Sequence, residues 1–312
     1  MSLECNFLAR LQDRALMFKT VRTFFQERAV LEVDVPILSS TAPIDPYIDI
    51  LETEASFNQK GYLHSSPEYG MKKLLAQGLH NIYQMSHVYR KEELSPKHAI
   101  EFTMIEWYRS PFSFLDLLEE TRMLITLFLN DLPYEIIHYS FALKQAHGID
   151  PLLLSVEELA LFCKTLGLSI ESSDKDVYLS FLWDLAEKTL GQNKLTFITH
   201  FPASQAALSN TFEEGGINYA ARFECYHQGL ELANGYHELT DPKEQRKRLI
   251  ENSLKRNSLG KSFLPIDNNF LKALESLAGK DFYGVAVGFD RLMMLRHQVH
   301  HIQDILPLTW TD

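Results

Sequence analysis

Strand-like runs gather towards the two ends of this chain and helical runs fill its middle, an order that leaves no regular β-α-β alternation. Residues 7–28 open the chain as an amphipathic helix, followed by a short strand through Leu31, Val33 and Val35 that ends at Pro36. Further short strands are expected near 47–52, 61–64, 80–90 and 101–108, then helices at 113–130, 155–166 and 176–190. Strands return at 194–200 and 219–237, and helices at 241–258, 266–278 and 289–297. This order predicts an α+β fold in which a mostly antiparallel sheet is flanked by helices. A chain of 312 residues can bury about 75% of its unfolded surface. No Pro/Gly/Ser-rich linker, charge block or internal repeat divides it, so the expectation is one domain over 1–312 with a helical insert at about 113–190.

Charge and composition narrow the function classes. The formal net charge of −11 argues against a broad nucleic-acid-binding face. Residues 243–261 run against that trend, with seven basic residues and two acidic ones. A solvated helix face is the ordinary reading of such a stretch, and a docking stripe for an acidic partner is the other. Phe7, Leu8, Leu11, Ala15, Leu16 and Phe18 have helical spacing, but Arg10, Asp13 and Arg14 interrupt any targeting segment. No run approaches the ~20 apolar residues of a membrane span. Cys5, Cys163 and Cys225 form no C-x-x-C pair, which makes a reducing cytoplasm the expected location. Neither G-x-x-x-x-G-K-[ST] nor a G-x-G-x-x-G after a strand occurs. Any ATP would therefore be held by strand-borne arginines and carboxylates.

Three stretches carry the chemistry. In YRKEELSPKHAIEFTMIEWY (89–108), residues 102–108 alternate as a strand. Phe102, Met104, Glu106 and Tyr108 lie on one face, with Thr103, Ile105 and Trp107 on the other. A carboxylate among aromatic and thioether side chains calls for a cation, whether a structural partner or a ligand. Arg90 and His98 bracket the loop before this strand, where an arginine fork suits a phosphate. In ECYHQGLELANGYHE (224–238), His227-Gln228-Gly229 reads as a hairpin turn that brings Glu224 and Glu231 onto neighbouring strands. Two converging carboxylates repel unless a cation such as Mg²⁺ joins them. Strict alternation sends Asn234 to the face opposite Glu231, so a bulge at Asn234-Gly235 is expected if both reach one pocket. In GVAVGFDRLMML (284–295), a strand leads into a helix opened by Asp290 and Arg291. Arg291 in a first turn opposes the helix dipole and fits a phosphate contact better. His297, His300 and His301 read as a solvated C-terminal helix rather than a metal site.

In this order the stretches resemble the three motifs of class II aminoacyl-tRNA synthetases. Residues 22–36 look like the dimer-forming first motif, 89–108 like the second and 284–292 like the third. The block 231–238 resembles the lysine branch. SSPEYGMK (65–72), HFPASQA (200–206) and GLELANGYHELTD (229–241) are similar to the short lysyl-tRNA synthetase paralogues that modify bacterial elongation factor P. Carried over by position, the resemblance implies that Arg90 holds the ATP α-phosphate and Arg291 the γ-phosphate, with Glu92 at the adenine edge and Phe102 stacked on the ring. Lys91, His98, Leu232 and Gly288 belong to the same nucleotide site, and Arg90, Arg291 and Glu231 form its catalytic set. Glu224 and Glu231 are the implied Mg²⁺ ligands. Ser66, Pro67 and Glu68 meet the nearer amino group of a lysine or β-lysine and Asn234 its carboxylate. Glu106, Tyr108 and Glu238 surround the distal ammonium, with Ala286 lining the pocket. Several carboxylates together suit a substrate with two amines.

The chain departs from the family at three positions. Ala99 and Lys91 stand where relatives carry Asn, and Ala286 where lysyl-tRNA synthetases have Gly, in agreement with the elongation-factor ligases. Only one helix precedes the first motif, where lysine-type synthetases carry an anticodon-binding barrel. The implied activity is therefore adenylation of the amino acid and transfer to a lysine of elongation factor P, by a homodimer, with no stable tRNA binding. An RNA-charging enzyme and a non-catalytic regulatory paralogue are the rival readings. Intact Arg90, Glu92, Glu224, Glu231 and Arg291 count against the second.

Overall fold

A computed structural model describes residues 3–56 and 58–309, with the backbone alone for 3–6. These residues divide into two compact units, one of Met1–Asn130 with Glu238–Asp312, the other of Asp131–His237.

The first unit opens with α1 (Leu3–Gln26). The helix is as expected, but its buried face is not the apolar one read from sequence. It buries Arg14, Met17, Val21, Phe24 and Phe25, while Phe7, Leu8 and Leu16 are exposed. Arg14 is inside because its guanidinium has partners there: Asp290 at 2.5 Å and the Thr103 hydroxyl at 2.8 Å. After β1 (Leu31–Glu32) come β2 (Leu38–Ser39), β3 (Glu52–Ser56) and β4 (Gln59–Leu63). The strand expected at 47–52 does not form. Two of its carbonyls are taken by side chains instead, Ile48 O by Arg256 and Tyr47 O by Lys261. Next are α2 (Glu68–Leu75), β5 (Ile82–Tyr89), β6 (Glu101–Arg109) and α3 (Phe114–Leu129). Helix α2 lies in a segment whose sequence pattern predicted no helix. Ser113 opens α3 with a capping box, accepting from Asp116 N–H while the Asp116 carboxylate accepts from Ser113 N–H.

The second unit contains β7 (Tyr134–His138), α4 (Tyr139–His147), α5 (Val156–Thr165) and α6 (Lys175–Ala186). The strands β8 (Leu195–Thr199), β9 (Phe201–Pro202), β10 (Thr211–Glu214), β11 (Ile217–Ala220), β12 (Arg222–His227) and β13 (Leu230–His237) follow. Three of them join β7 in the order β13-β12-β8-β7, and the other three form a separate sheet, β10-β11-β9. Tyr139, Trp183, Phe201 and Tyr226 centre its core, where the Trp183 indole N–H donates to the Tyr226 hydroxyl at 3.0 Å.

The chain then returns to the first unit for α7 (Pro242–Ser258), α8 (Asn268–Leu277), β14 (Tyr283–Gly288) and α9 (Phe289–Arg296). There β1-β5-β6-β14 lie side by side, with only β1 and β5 parallel, and β2-β4-β3 form a small antiparallel sheet. The fold is α+β and mostly antiparallel, as the spacing predicts. The basic stretch on α7 is partly internal rather than a free stripe. Arg256 is buried and donates to the carbonyls of Asp45 and Ile48, and Arg248 donates to Glu244. No helix among the described residues is long and apolar enough to cross a membrane.

Candidate active site

Strand β6 is central in its unit, flanked by β5 and β14, so both of its faces are buried from Thr103 to Tyr108. Cross-strand register places Tyr108 opposite Gly284, Glu106 opposite Ala286 and Met104 opposite Gly288. Directly opposed residues share a face, so three small residues of β14 line the row that holds Glu106 and Tyr108. At Gly284 the space is already taken: a Cβ there would overlap Glu238 Oε1 and the Tyr108 ring.

Glu106 accepts from Ser66 Oγ at 2.7 Å and from the Tyr108 hydroxyl at 2.6 Å. The Ser66 hydroxyl also accepts from Glu68 N–H at 3.0 Å, and Pro67 stands at the N-cap position of α2. Two of the expected substrate residues are thus fixed by one serine. Glu68 reaches Lys72 Nζ at 2.5 Å, and the same ammonium lies 2.5 Å from Glu238. Burial raises the Glu106 carboxyl to about 7, helped by the charge of Glu68 and opposed by its hydrogen bonds. Burial likewise raises Glu238 to about 8 against the pull of Lys72. Ser66, Pro67, Glu68, Glu106, Tyr108, Glu238 and Ala286 all belong to this unit. Lys72, within a quoted motif but given no role, is the residue that sequence reasoning missed. A lysine four positions after a glutamate on a helix was the available signal.

The residues of this unit expected at the nucleotide flank the same strand. The Arg90 guanidinium lies 5.2 Å from the Phe102 ring centroid and pairs with Glu93 at 3.6 Å, while its buried Nε has no partner. Lys91 and Glu92 are exposed at the loop tip, 3.5 Å apart, with Glu92 at φ 63°. His98 Nε2 accepts from Arg291 Nη2 at 2.7 Å, and its Nδ1 lies 2.8 Å from Ser95 Oγ. Gly288 precedes α9 as its N-cap with no side-chain cap, leaving Arg291 on the first turn. Ala99 is buried. His297 does not extend a solvated helix: α9 ends at Arg296, and His297 lies 2.8 Å from Asp13.

The second unit holds the other carboxylates. Gln228 and Gly229, with φ of 51° and 66°, form the tight turn between β12 and β13. A Cβ on Gly229 would also stand 2.8 Å from Lys188 O. The expected hairpin is present, but its bulge is elsewhere. Cys225 pairs with Ala233 and Tyr226 with Glu231, leaving Leu232 as the extra residue, whereas Asn234 and Gly235 pair regularly with Glu224 and Phe223. The bulge at Leu232 achieves what the other position was invoked for. Asn234 opposes Glu224 and Glu231 opposes Tyr226, and since Glu224 and Tyr226 are two apart, all four side chains share a face. Gly235 is needed in its place because a Cβ would overlap the Phe223 ring. Glu224 accepts from Arg222 and, at 2.6 Å, from the Tyr226 hydroxyl. Burial pushes its carboxyl up to about 7 against the attraction of Arg222, and Glu231 adds like-charge repulsion. Asn234 Oδ1 is buried with no partner. Among the described residues, no group of three or more His, Cys, Asp or Glu is arranged to hold a metal unaided.

Sequence comparison places this arrangement among known proteins. Residues 4–311 match the family described as tRNA synthetases class II (D, K and N). The chain is 40% identical over 306 residues to an elongation factor P–(R)-β-lysine ligase of Avibacterium paragallinarum, covering 96% of this chain and 94% of that one. A protein of the same name from Pseudoalteromonas translucida is 38% identical over 316 residues, covering 97% and 96%. One from Haemophilus influenzae is 39% identical over 300 residues, covering 94% and 92%.

Proposed function

The chain belongs to the class II tRNA synthetases (D, K and N), and on that premise we propose that it is an ATP-dependent, AMP-forming ligase that activates (R)-β-lysine and transfers it to a lysine of elongation factor P. The observation that carries the reading is the set Glu68, Glu106 and Glu238 around one lysine, the last two buried and Glu68 partly so, a pocket short of positive charge by two once all three carboxyls are ionised. An amino acid with two ammonium groups meets that deficit, whereas aspartate or asparagine does not. The names of the relatives point the same way.

In the first step a carboxylate oxygen of the amino acid attacks the α-phosphorus of ATP and pyrophosphate leaves. In the second, the neutral amine of the acceptor lysine attacks the adenylate carbonyl. An amide forms, AMP leaves and the amine proton passes to solvent. No enzyme nucleophile is needed. Arg90 and Arg291 hold phosphate oxygens and so stabilise charge on the transferring group. The unpartnered Nε of Arg90 supports this role. Phe102 offers a flat face for adenine, with Glu92, Lys91, His98, Leu232 and Gly288 around the nucleotide. Ser66, Glu68, Glu106, Tyr108 and Glu238 hold the two ammonium groups, and Asn234 holds the carboxylate. Glu224 and Glu231 fit Mg²⁺, which takes one or two carboxylates and completes its shell with phosphate and water. When bound, the ion would neutralise charge on the phosphates. Residues 22–36 support a homodimer by their likeness to the first motif.

The β-amino preference rests on Ala286, which shares a β-sheet face with Glu106. One methyl at a close contact is worth roughly 1–3 kcal/mol between two placements of an amine. The test is mass spectrometry of elongation factor P after incubation with ATP and each amino acid. A lysine-sized adduct on one lysine is expected, formed faster with β-lysine, and Ala286→Gly should narrow that gap. Charging of tRNA with no protein adduct would overturn the reading.

A further inference from the structure

The carboxylate pocket contains a cation of its own. Lys72, on the second turn of α2, is 1% exposed, and its Nζ contacts Glu68 on the same helix and Glu238 from the segment after β13. Glu106 and Tyr108 face the same space from β6, and Gly284 on β14 leaves room for Glu238 and the Tyr108 ring. The neighbouring lysine does not share this work, since Lys73 is turned to Asp267 at 2.6 Å. Among the described residues Glu106 forms no ion pair and accepts from two neutral hydroxyls.

We propose that Lys72 is a specificity-determining positioning residue: it holds Glu68 and Glu238 in place against one ammonium before the substrate arrives and sets at two the number of ammonium groups the pocket accepts. The inference rests on the reading of this pocket as the amino-acid site. With three carboxylates and one lysine ionised, the pocket carries a net charge of −2. A substrate with two ammonium groups brings it to zero. A substrate with one leaves a buried carboxylate unmatched, which is strongly unfavourable. Without Lys72 the deficit is three, and the buried carboxyls would hold more tightly the protons that the substrate must displace. The ion pair opposes the effect of burial on Glu238, and Lys72 acts in the same sense on Glu106. Its loss therefore moves the pH range for substrate binding upward.

The test is amino-acid-dependent pyrophosphate exchange from pH 6 to 9, with β-lysine as the probe and the full chain throughout. Lys72→Met should raise the β-lysine KM at least about tenfold at pH 7, move the KM–pH midpoint upward by at least one unit and leave the ATP KM within about twofold. Lys72→Arg should keep the midpoint near that of the parent. Lys72→Met combined with Glu238→Gln restores the net charge of −2, so the midpoint should return towards the parent. If Lys72→Met alone does not fold, recovery of folding in the double variant supports the same charge balance, and failure of the double variant to fold overturns it. An unmoved KM–pH profile in Lys72→Met, or an equal rise in the ATP KM, would also overturn the proposal. If the parent activates no lysine-type amino acid, the reading of the pocket falls and takes this inference with it. Activation by the parent with an unmoved variant profile defeats the Lys72 proposal alone.

Discussion

Glu231 shows how much one side chain can be asked to carry. It shares a face with Glu224 across a bulged hairpin, and Glu231 raises the cost of ionising that neighbour. Two carboxylates that repel each other on one face suit a cation between them, the role proposed for Mg²⁺. Glu231→Gln removes one charge at constant shape, so the protein should fold while adenylate formation drops at least about a hundredfold, near 2.7 kcal/mol of transition-state stabilisation. Pyrophosphate exchange at the parental rate in a folded variant would remove Glu231 from the metal site. The alternation of Phe102, Met104, Glu106 and Tyr108 was legible because a strand has period two. Lys72 was not, because a lysine in a helix is ordinarily solvated, and only Glu238 from far along the chain brings it inside.

At the scale of elements, a buried ion pair ties three of them together. Arg14 on α1 pairs with Asp290 on α9 and donates to Thr103 on β6, and Asp290 accepts from Thr103 N–H at 2.6 Å. Thr103 and Asp290 each precede or follow a proposed nucleotide residue, Phe102 and Arg291. Asp290→Asn leaves the Arg14 charge buried without a carboxylate, and breaking such a pair costs about 3–5 kcal/mol. Urea unfolding should show that loss, and the ATP KM should rise with it as Phe102 and Arg291 lose their fixed spacing. A midpoint unchanged in urea would mean that the pair contributes nothing net. Periodicity made α1 legible as a helix, at 7–28 where it runs Leu3–Gln26, but not its buried face, since Arg14 is inside and Leu16 exposed.

For the whole molecule, the pocket makes stability depend on pH. Glu106 and Glu238, at about 7 and about 8, lie above the ordinary carboxyl value of 4.5. The folded state therefore holds protons that the unfolded chain has released, and stability of the free protein falls as pH rises from about 4.5 to 8. A diammonium ligand binds the ionised pocket, so β-lysine should raise Tm more at pH 8.5 than at pH 6. An equal gain at both pH values, read by thermal shift, would show that these carboxyls do not meet the ligand. The sequence by itself determined the mostly antiparallel α+β class and the 228–229 turn, because periodicity and turn residues are local properties, but it placed a strand at 47–52 that does not form and missed α2, β7 and α4. Only the tertiary structure decided that the bulge falls at Leu232, that Arg14 is internal and that Lys72 is buried between two carboxylates. Those outcomes depend on hydrogen bonds and charges contributed by residues distant in the chain, which a local pattern does not contain.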